Sequence, residues 1–564
     1  MIEIKQTKDA APELFHVLES CEDGAVISFP EKEYHFYPDH AFRKYYYISN
    51  NRHGMKRVAF PIIGKKNVTI DGCGARFVFR GDIIPVVVEK SEGITLKNFS
   101  IDWQRPFYSE GMITASDKTG VTLEIDRELY PYHFENGEMI FEGEGWERSF
   151  SEGVFEIDPS TGGPAYLSGD SMGIGIKSNW NIEEVADGVV RFNESFPRPG
   201  KVGNVLLLRH YRRCCPGIHL RYSKNTLLDH VILHHAGGMG VIGQFCENVI
   251  IRDSKVTPSE GRHFSATVDA THFVNCRGKI ELADCLFEGQ LDDPCNVHGI
   301  NTRITQVPDS RSMVVELAHY EQHGVKVAFP GDQVQFSDNN TLLAYAENEV
   351  VSVDRIDMAR SRIFLKYDLP KDLRPGHVME NMSWIPDLHV HGCTCRNNRA
   401  RGCLVSTPGK VIIENNRIES SGAGIKISGD ANHWFESGAV RDVVIRNNEF
   451  GDCCYGPPAW GRSVIDVDPE ISNPWKNPEC FHRNIRIENN NFFTFDVGIL
   501  FARSVDGITF TGNTIRRTET YPMISRTTEL LTFEACRNIR ISGNNMDASI
   551  EQKLVADMEE EVSI

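Results

Sequence analysis

Short runs in which β-branched and other apolar residues alternate with polar ones, each closed by Asn or Gly, recur along the chain. In the N-terminal half they read NVTIDGCG from Asn67, GITLKNFSI from Gly93, NTLLDHVIL from Asn225, NVIIRDSKV from Asn248 and GKIELADCLF from Gly278. In the C-terminal half they read VIIENNRI from Val411, VVIRNNEF from Val443, IRIENNNF from Ile485, ITFTGNTI from Ile508 and IRISGNNM from Ile539. The period of two predicts strands with one buried face, and the Asn and Gly positions predict turns. One equivalent position runs through Val231, Ser254 and Cys285, with steps of 23 and 31. It continues through Cys393, Asn416, Asn448, Asn490, Asn513 and Asn544, with steps of 23, 32, 42, 23 and 31.

A shortest step of 23 is the length of one coil of a right-handed parallel β-helix, and the longer steps are coils carrying loop insertions. Coils stack about 4.8 Å apart, so apolar side chains fill the interior and Asn side chains form ladders at the turns. A β-sandwich fits less well, because its strands recur every 8 to 12 residues or so and do not repeat one Asn position. The predicted class is therefore all-β, a parallel β-helix with two inserted antiparallel β-domains. Residues 1–110 are expected to form a cap and the first coils. Leu14, Phe15 and Leu18 fall at helical spacing between Ala11 and Cys21, ahead of the alternating AVISFPEKEYHF, and such a cap covers an exposed sheet edge. Residues 111–205 (TGVTLEID, ADGVVRFNE) and 301–385 (SMVVELAHY, SRIFLKYDL) break the coil period and read as the inserted domains. Coils are expected over 206–300 and 386–548, and 549–564 is an acidic tail.

Composition narrows the class. With 40% hydrophobic and 24% charged residues among 564, the chain is neither disordered nor collagen-like. A net charge of −18 repels nucleic acid and anionic membranes, so neither is an expected partner. The 15 cysteines include the adjacent pairs Cys214-Cys215 and Cys453-Cys454 without paired CxxC spacing, which favours reduced thiols. Together with an N-terminus (MIEIKQTKDAAPELF) lacking the pattern of a secretory signal, this gives a cytoplasmic expectation.

Asp269 in HFSATVDATHF and Asp292 in EGQLDDPCNVHG are 23 residues apart, so Asp269, Asp292 and Asp293 are expected to cluster on one outer face of neighbouring coils. Like charges at that separation raise at least one pKa and set a protonated acid beside an ionised base, the pair that glycoside hydrolysis needs. A calcium site or a solvated acidic turn is the alternative at this point, and spacing alone leaves inversion and retention open.

The segments DGCGARFVFRG, KNFSIDWQRPFYSEG, HHAGGMGVIGQFCENV, FSATVDATHFVNCRG and QLDDPCNVHGI resemble glycoside hydrolase family 110, the α-1,3-galactosidases, from about Asp71 to the last coils. The resemblance implies an inverting, metal-independent, cofactor-free removal of terminal α-1,3-linked galactose from glycans such as the blood group B determinant. It matches the family's catalytic aspartates to Asp269, Asp292 and Asp293, an arrangement similar to that of the family 28 polygalacturonases. By that analogy Asp292 is the general acid, while Asp269 and Asp293 position and deprotonate water. Candidate sugar-binding residues around them are Gln290, Asn296 and His298 within one coil, and Arg262 and His263 before Asp269. Trp103 with Arg105, and Trp434 with Glu436, are candidate stacking and clamping pairs, since an aromatic face packs on the C–H face of a pyranose. The pair His234-His235 reads as structural. Competing readings are a polygalacturonase-like enzyme on galactans, a calcium-dependent lyase, and a glycan-binding β-helix without activity. A homodimer is allowed by the exposed coil sides.

Overall fold

The computed structural model describes residues 1–150, 152–175, 179–210 and 213–547, so the acidic tail lies outside the described residues. Helix Ala11–Ser20 buries Ala11, Leu14 and Leu18, with Phe15 stacked on Phe42, and closes the N-terminal end. Behind it the chain winds into a parallel β-helix whose walls are one sheet of 22 strands and one of 13. Each rung buries its alternate apolar residues. Val249 and Ile251, Ile280 and Leu282, Leu388 and Val390, and Val411 and Ile413 stack in the interior.

The turns explain the recurring Asn. Asn225, Asn248, Asn415, Asn447 and Asn489 adopt left-handed φ of 54° to 57°, a conformation that Asn tolerates better than most residues. The next position forms the ladder expected from the repeat. Asn416 Nδ2 donates to Asn448 Oδ1 at 2.9 Å, Asn448 to Asn490 at 3.0 Å, Asn490 to Asn513 at 3.0 Å and Asn513 to Asn544 at 3.1 Å.

Both interruptions are insertions between stacked coils. Strand Thr95–Trp103 pairs directly with Lys224–Leu233, and the chain between them forms a seven-stranded antiparallel sheet plus a three-stranded one. Arg277–Ala283 pairs with Pro386–His391, and the chain between them contains a closed six-stranded barrel running from Thr302–Asp309 to Val378–Asn381. The inserted domains have hydrophobic cores of their own. All 15 cysteines are free thiols.

Candidate active site

Strands Thr271–Val274 and Cys295–Ile300 are neighbours in the 13-stranded sheet, and the turns that lead into them carry the three aspartates. The register pairs Thr271 with Cys295, so Asp269 lies level with Asp293 and accepts its amide at 3.1 Å. The expectation from a 23-residue step, Asp269 over Asp292, is thus one residue out. Carboxylate oxygens of all three still lie within 4.8 Å of one another. Asp292 is the most accessible, its side chain 13% exposed against 6% for Asp269 and 1% for Asp293.

Three arginines that the sequence reading did not single out neutralise the cluster. Asp293 accepts from Arg401 twice, from Nη2 at 2.7 Å and from the amide at 3.0 Å. Burial, with Asp292 and Asp269 alongside, pushes this carboxyl well above the usual range against the pull of Arg401, while both its oxygens accept hydrogen bonds from Arg401, the arrangement that favours its carboxylate form. Asp292 lies between Arg399 Nη1 at 3.0 Å and Arg213 Nη2 at 3.7 Å. Each of these two arginines is anchored by an inserted domain. Asp170, from the first, holds Arg399 at 2.8 Å, and Glu321, from the second, holds Arg213 at 2.8 Å. The insertions therefore fix the charges that face the aspartates.

Asp269 has a different environment. Its Oδ2 is 2.6 Å from His272 Nδ1, His272 Nε2 is 2.9 Å from His298 Nε2, and His298 Nδ1 is 2.6 Å from the Gly299 carbonyl. A carbonyl only accepts, so the His298 proton sits on Nδ1 and its Nε2 accepts from His272. A neutral His272 then has its proton on Nε2, and the proton on the short bond at Nδ1 belongs to Asp269. The energetics agree. Burial, with Asp292 alongside, pushes Asp269 up to about 8, whereas burial lowers His272 to about 4.

The other expected residues divide into two groups. Glu436 Oε1 is 3.6 Å from His298 Nε2, and Trp434 is 39% exposed with the Arg213 guanidinium over its ring at 5.6 Å and the His319 ring at 4.4 Å. The loop that carries them is fixed by Asp430, whose carboxylate accepts the amides of Asn432, His433, Trp434 and Phe435. Asn296 is buried on the strand that also bears His298, with its Oδ1 free of protein partners. Gln290 is fully buried, and neither of its amide atoms has a protein partner. His298 holds His272 and is not free to act as a direct sugar ligand.

Trp103, Arg105, Arg262 and His263 are engaged elsewhere. Trp103 is buried between Phe79, Phe107 and His235 and donates Nε1 to the Gly81 carbonyl, so it packs in the core of the β-helix rather than under a sugar. Arg105 is 5% exposed and donates to the carbonyls of Glu142, Pro106 and Tyr108 and to Ser109. Arg262 is paired with buried Asp102 and with Ser259, and His263 with Glu110 at 2.7 Å. His234 and His235 bond the Thr257 and Ser265 carbonyls through Nδ1 and are structural, as read from the sequence.

Comparison with known proteins adds the following. Residues 109–206 match the family model described as GLAA-B beta-barrel domain I, and residues 312–379 match GLAA-B beta-barrel domain II. Alpha-1,3-galactosidase A of Shewanella woodyi is 39% identical over 544 residues, covering 95% of this chain and 88% of that protein. Alpha-1,3-galactosidase B of Bacteroides thetaiotaomicron is 36% identical over 560 residues, covering 97% and 90%. Among solved structures, the A-module of the Azotobacter vinelandii mannuronan C-5 epimerase AlgE6 superposes with a TM-score of 0.42 at 10% identity, covering 97% of this chain and 99% of that one.

Proposed function

The chain belongs to glycoside hydrolase family 110 and is an α-1,3-galactosidase, and from that premise we propose that it removes terminal galactose, with inversion, from glycans such as blood group B structures. The observation that carries the proposal is the cluster of three carboxyl groups within 4.8 Å of one another in unequal surroundings. Asp269 holds a proton against His272, while Asp292 and Asp293 each sit against arginines. Two carboxyls whose surroundings push their pKa values apart are the acid and base of such a reaction.

This reading moves the acid from Asp292, where the resemblance puts it, to Asp269. Asp269 gives the Oδ2 proton that it shares with His272 Nδ1 in the free enzyme to the departing glycosidic oxygen, its bond to His272 breaking as the sugar takes the proton. Asp292 and Asp293 orient a water and take its proton as it attacks C1, and the arginines stabilise the charge that remains. Asn296 and Gln290 supply buried polar atoms that a sugar hydroxyl or an enclosed water satisfies, and Trp434 offers an aromatic face. Carboxylate oxygens within 4.8 Å are closer than the roughly 6.5–9.5 Å usual for inverting glycosidases. Inversion is nonetheless proposed, because the arginines fix Asp292 and Asp293 in place, where they can hold a water between them and the sugar.

An NMR time course with blood group B trisaccharide and with linear α-1,3-galactobiose tests the proposal. β-Galactose is expected to appear first. Initial α-galactose overturns inversion, and release from neither sugar overturns the substrate assignment. A pH profile checks the acid. Asp269 is competent only while protonated, so with its pKa raised to about 8, kcat/KM is expected to fall as pH rises through about 8. A profile flat to pH 10 removes Asp269 from the acid role.

A further inference from the structure

On the other wall of the β-helix, three successive rungs bring two histidines and two carboxylates together. His389 and His391 lie two apart on strand Pro386–His391, so both project from the same, outward face while Leu388 and Val390 point into the core. Glu281 is the ladder partner of His389 on the strand before, and Glu414 is the partner of His391 on the strand after. The imidazole centroids are 4.2 Å apart. His391 Nε2 is 3.0 Å from Glu281 Oε1, and His389 Nε2 is 3.0 Å from Glu414 Oε1. A ligand atom from each of Glu281, His389 and His391 lies within 4.8 Å of the others.

We propose that Glu281, His389 and His391, with Glu414 completing the set, bind a zinc-type divalent cation. Two imidazoles with one or two carboxylates form a ligand set suited to zinc, bound at about 2.0–2.2 Å in a tetrahedron. Closing around such an ion requires the imidazoles to exchange their present contacts with Glu281 and Glu414 for the metal. The carboxylates are already turned to present one oxygen. Lys279 holds Glu281 Oε2 at 2.8 Å and Arg446 holds Glu414 Oε2 at 2.7 Å, while each Oε1 faces a histidine. Outer contacts of this kind orient ligands before a metal arrives. The four side chains are 16% to 28% exposed, so an ion reaches them from solvent.

The position gives the ion a structural role. Glu281 and His389 are adjacent rungs, but the whole second inserted domain lies between them in sequence. A clip across that seam joins two coils whose pairing closes a loop of about a hundred residues, and cross-links that close long loops gain the most stabilisation in theory. The proposal is independent of the catalytic assignment, since the ligands lie on the 22-stranded sheet and the aspartates lead into the 13-stranded one.

Protein stripped with chelator and titrated with Zn2+ by calorimetry is expected to take up one high-affinity ion per chain. Co2+ in its place is expected to give the intense visible absorption of a tetrahedral site. His389→Gln and His391→Gln are each expected to weaken Zn2+ binding by about tenfold or more and to remove the rise in Tm that Zn2+ gives the parent. Both are expected to keep the parent's metal-free Tm and galactosidase activity. His433→Gln, in the separate cluster with Asp430 and Glu470, is expected to bind Zn2+ as the parent does. No tight Zn2+ binding by the parent, or unchanged binding by the folded His389→Gln and His391→Gln proteins, overturns the proposal.

Discussion

Asp292→Asn lowers kcat/KM on an α-1,3-galactoside by about a thousandfold or more, the scale expected when a positioned acid or base is lost, while the Tm stays close to that of the parent. Asn keeps the shape of Asp292 and its place between Arg399 and Arg213 but cannot take a proton from water. Asp269→Asn is equally slow on natural sugars, so the two are separated by the leaving group. An aryl α-galactoside with an acidic phenol departs without protonation. It is expected to restore most of the loss in Asp269→Asn and little of the loss in Asp292→Asn. The opposite pattern returns the acid to Asp292. Full activity of either variant on the natural linkage removes that carboxylate from the chemistry.

Arg401→Met destabilises the fold by about 3–5 kcal/mol, because it leaves a buried carboxylate without its cation. Asp293 is 1% exposed, and Arg401 Nη2 fills its Oδ2 at 2.7 Å. The single variant forces Asp293 either to stay charged without a partner or to take up a proton. Adding Asp293→Asn to Arg401→Met removes the stranded charge, so the double variant is expected to regain a large part of the lost stability without regaining activity. Denaturant melts of the two singles and the double measure the coupling directly. A loss under 1 kcal/mol in Arg401→Met means that Asp293 is protonated in the parent, and the charge assignment of the cluster then fails.

The sequence carried the scaffold and the centre of the site because both repeat. One ladder position is Asn in five coils, and the same spacing put Asp269 beside the Asp292 and Asp293 pair. What it missed was hidden by the insertions or by parity. Arg401 follows Asp293 by 108 residues, the same offset that pairs Cys295 with Cys403 across the second insertion. Carrying the coil register over the inserted domain therefore reaches both Arg399 and Arg401. Arg213 sits at the corresponding return from the first insertion, in a stretch with no periodicity. Trp103 and Arg105 read as a stacking and clamping pair, but alternation along the strand decides the side of Trp103. Phe99, Ile101 and Trp103 share one face, and that face is the core. His272 stands on the outward face next to Asp269 and carries no motif, so its role emerges only once the His298 contact is known.

The Asn ladder keeps count of turns, not of residues. Its rungs join positions separated by 23, 31, 32 and 42 residues with nearly the same geometry, so a loop can lengthen on any coil without the next coil losing its place. Such a gauge decouples growth of the surface from order in the spine. Across both domain insertions, which lie ahead of the ladder, register is held instead by the strand pairing of the coils on either side. For protein engineering, the ladder makes the long-loop coils at 416–448 and 448–490 natural sockets for grafted binding segments, provided the Asn residues on either side are left alone.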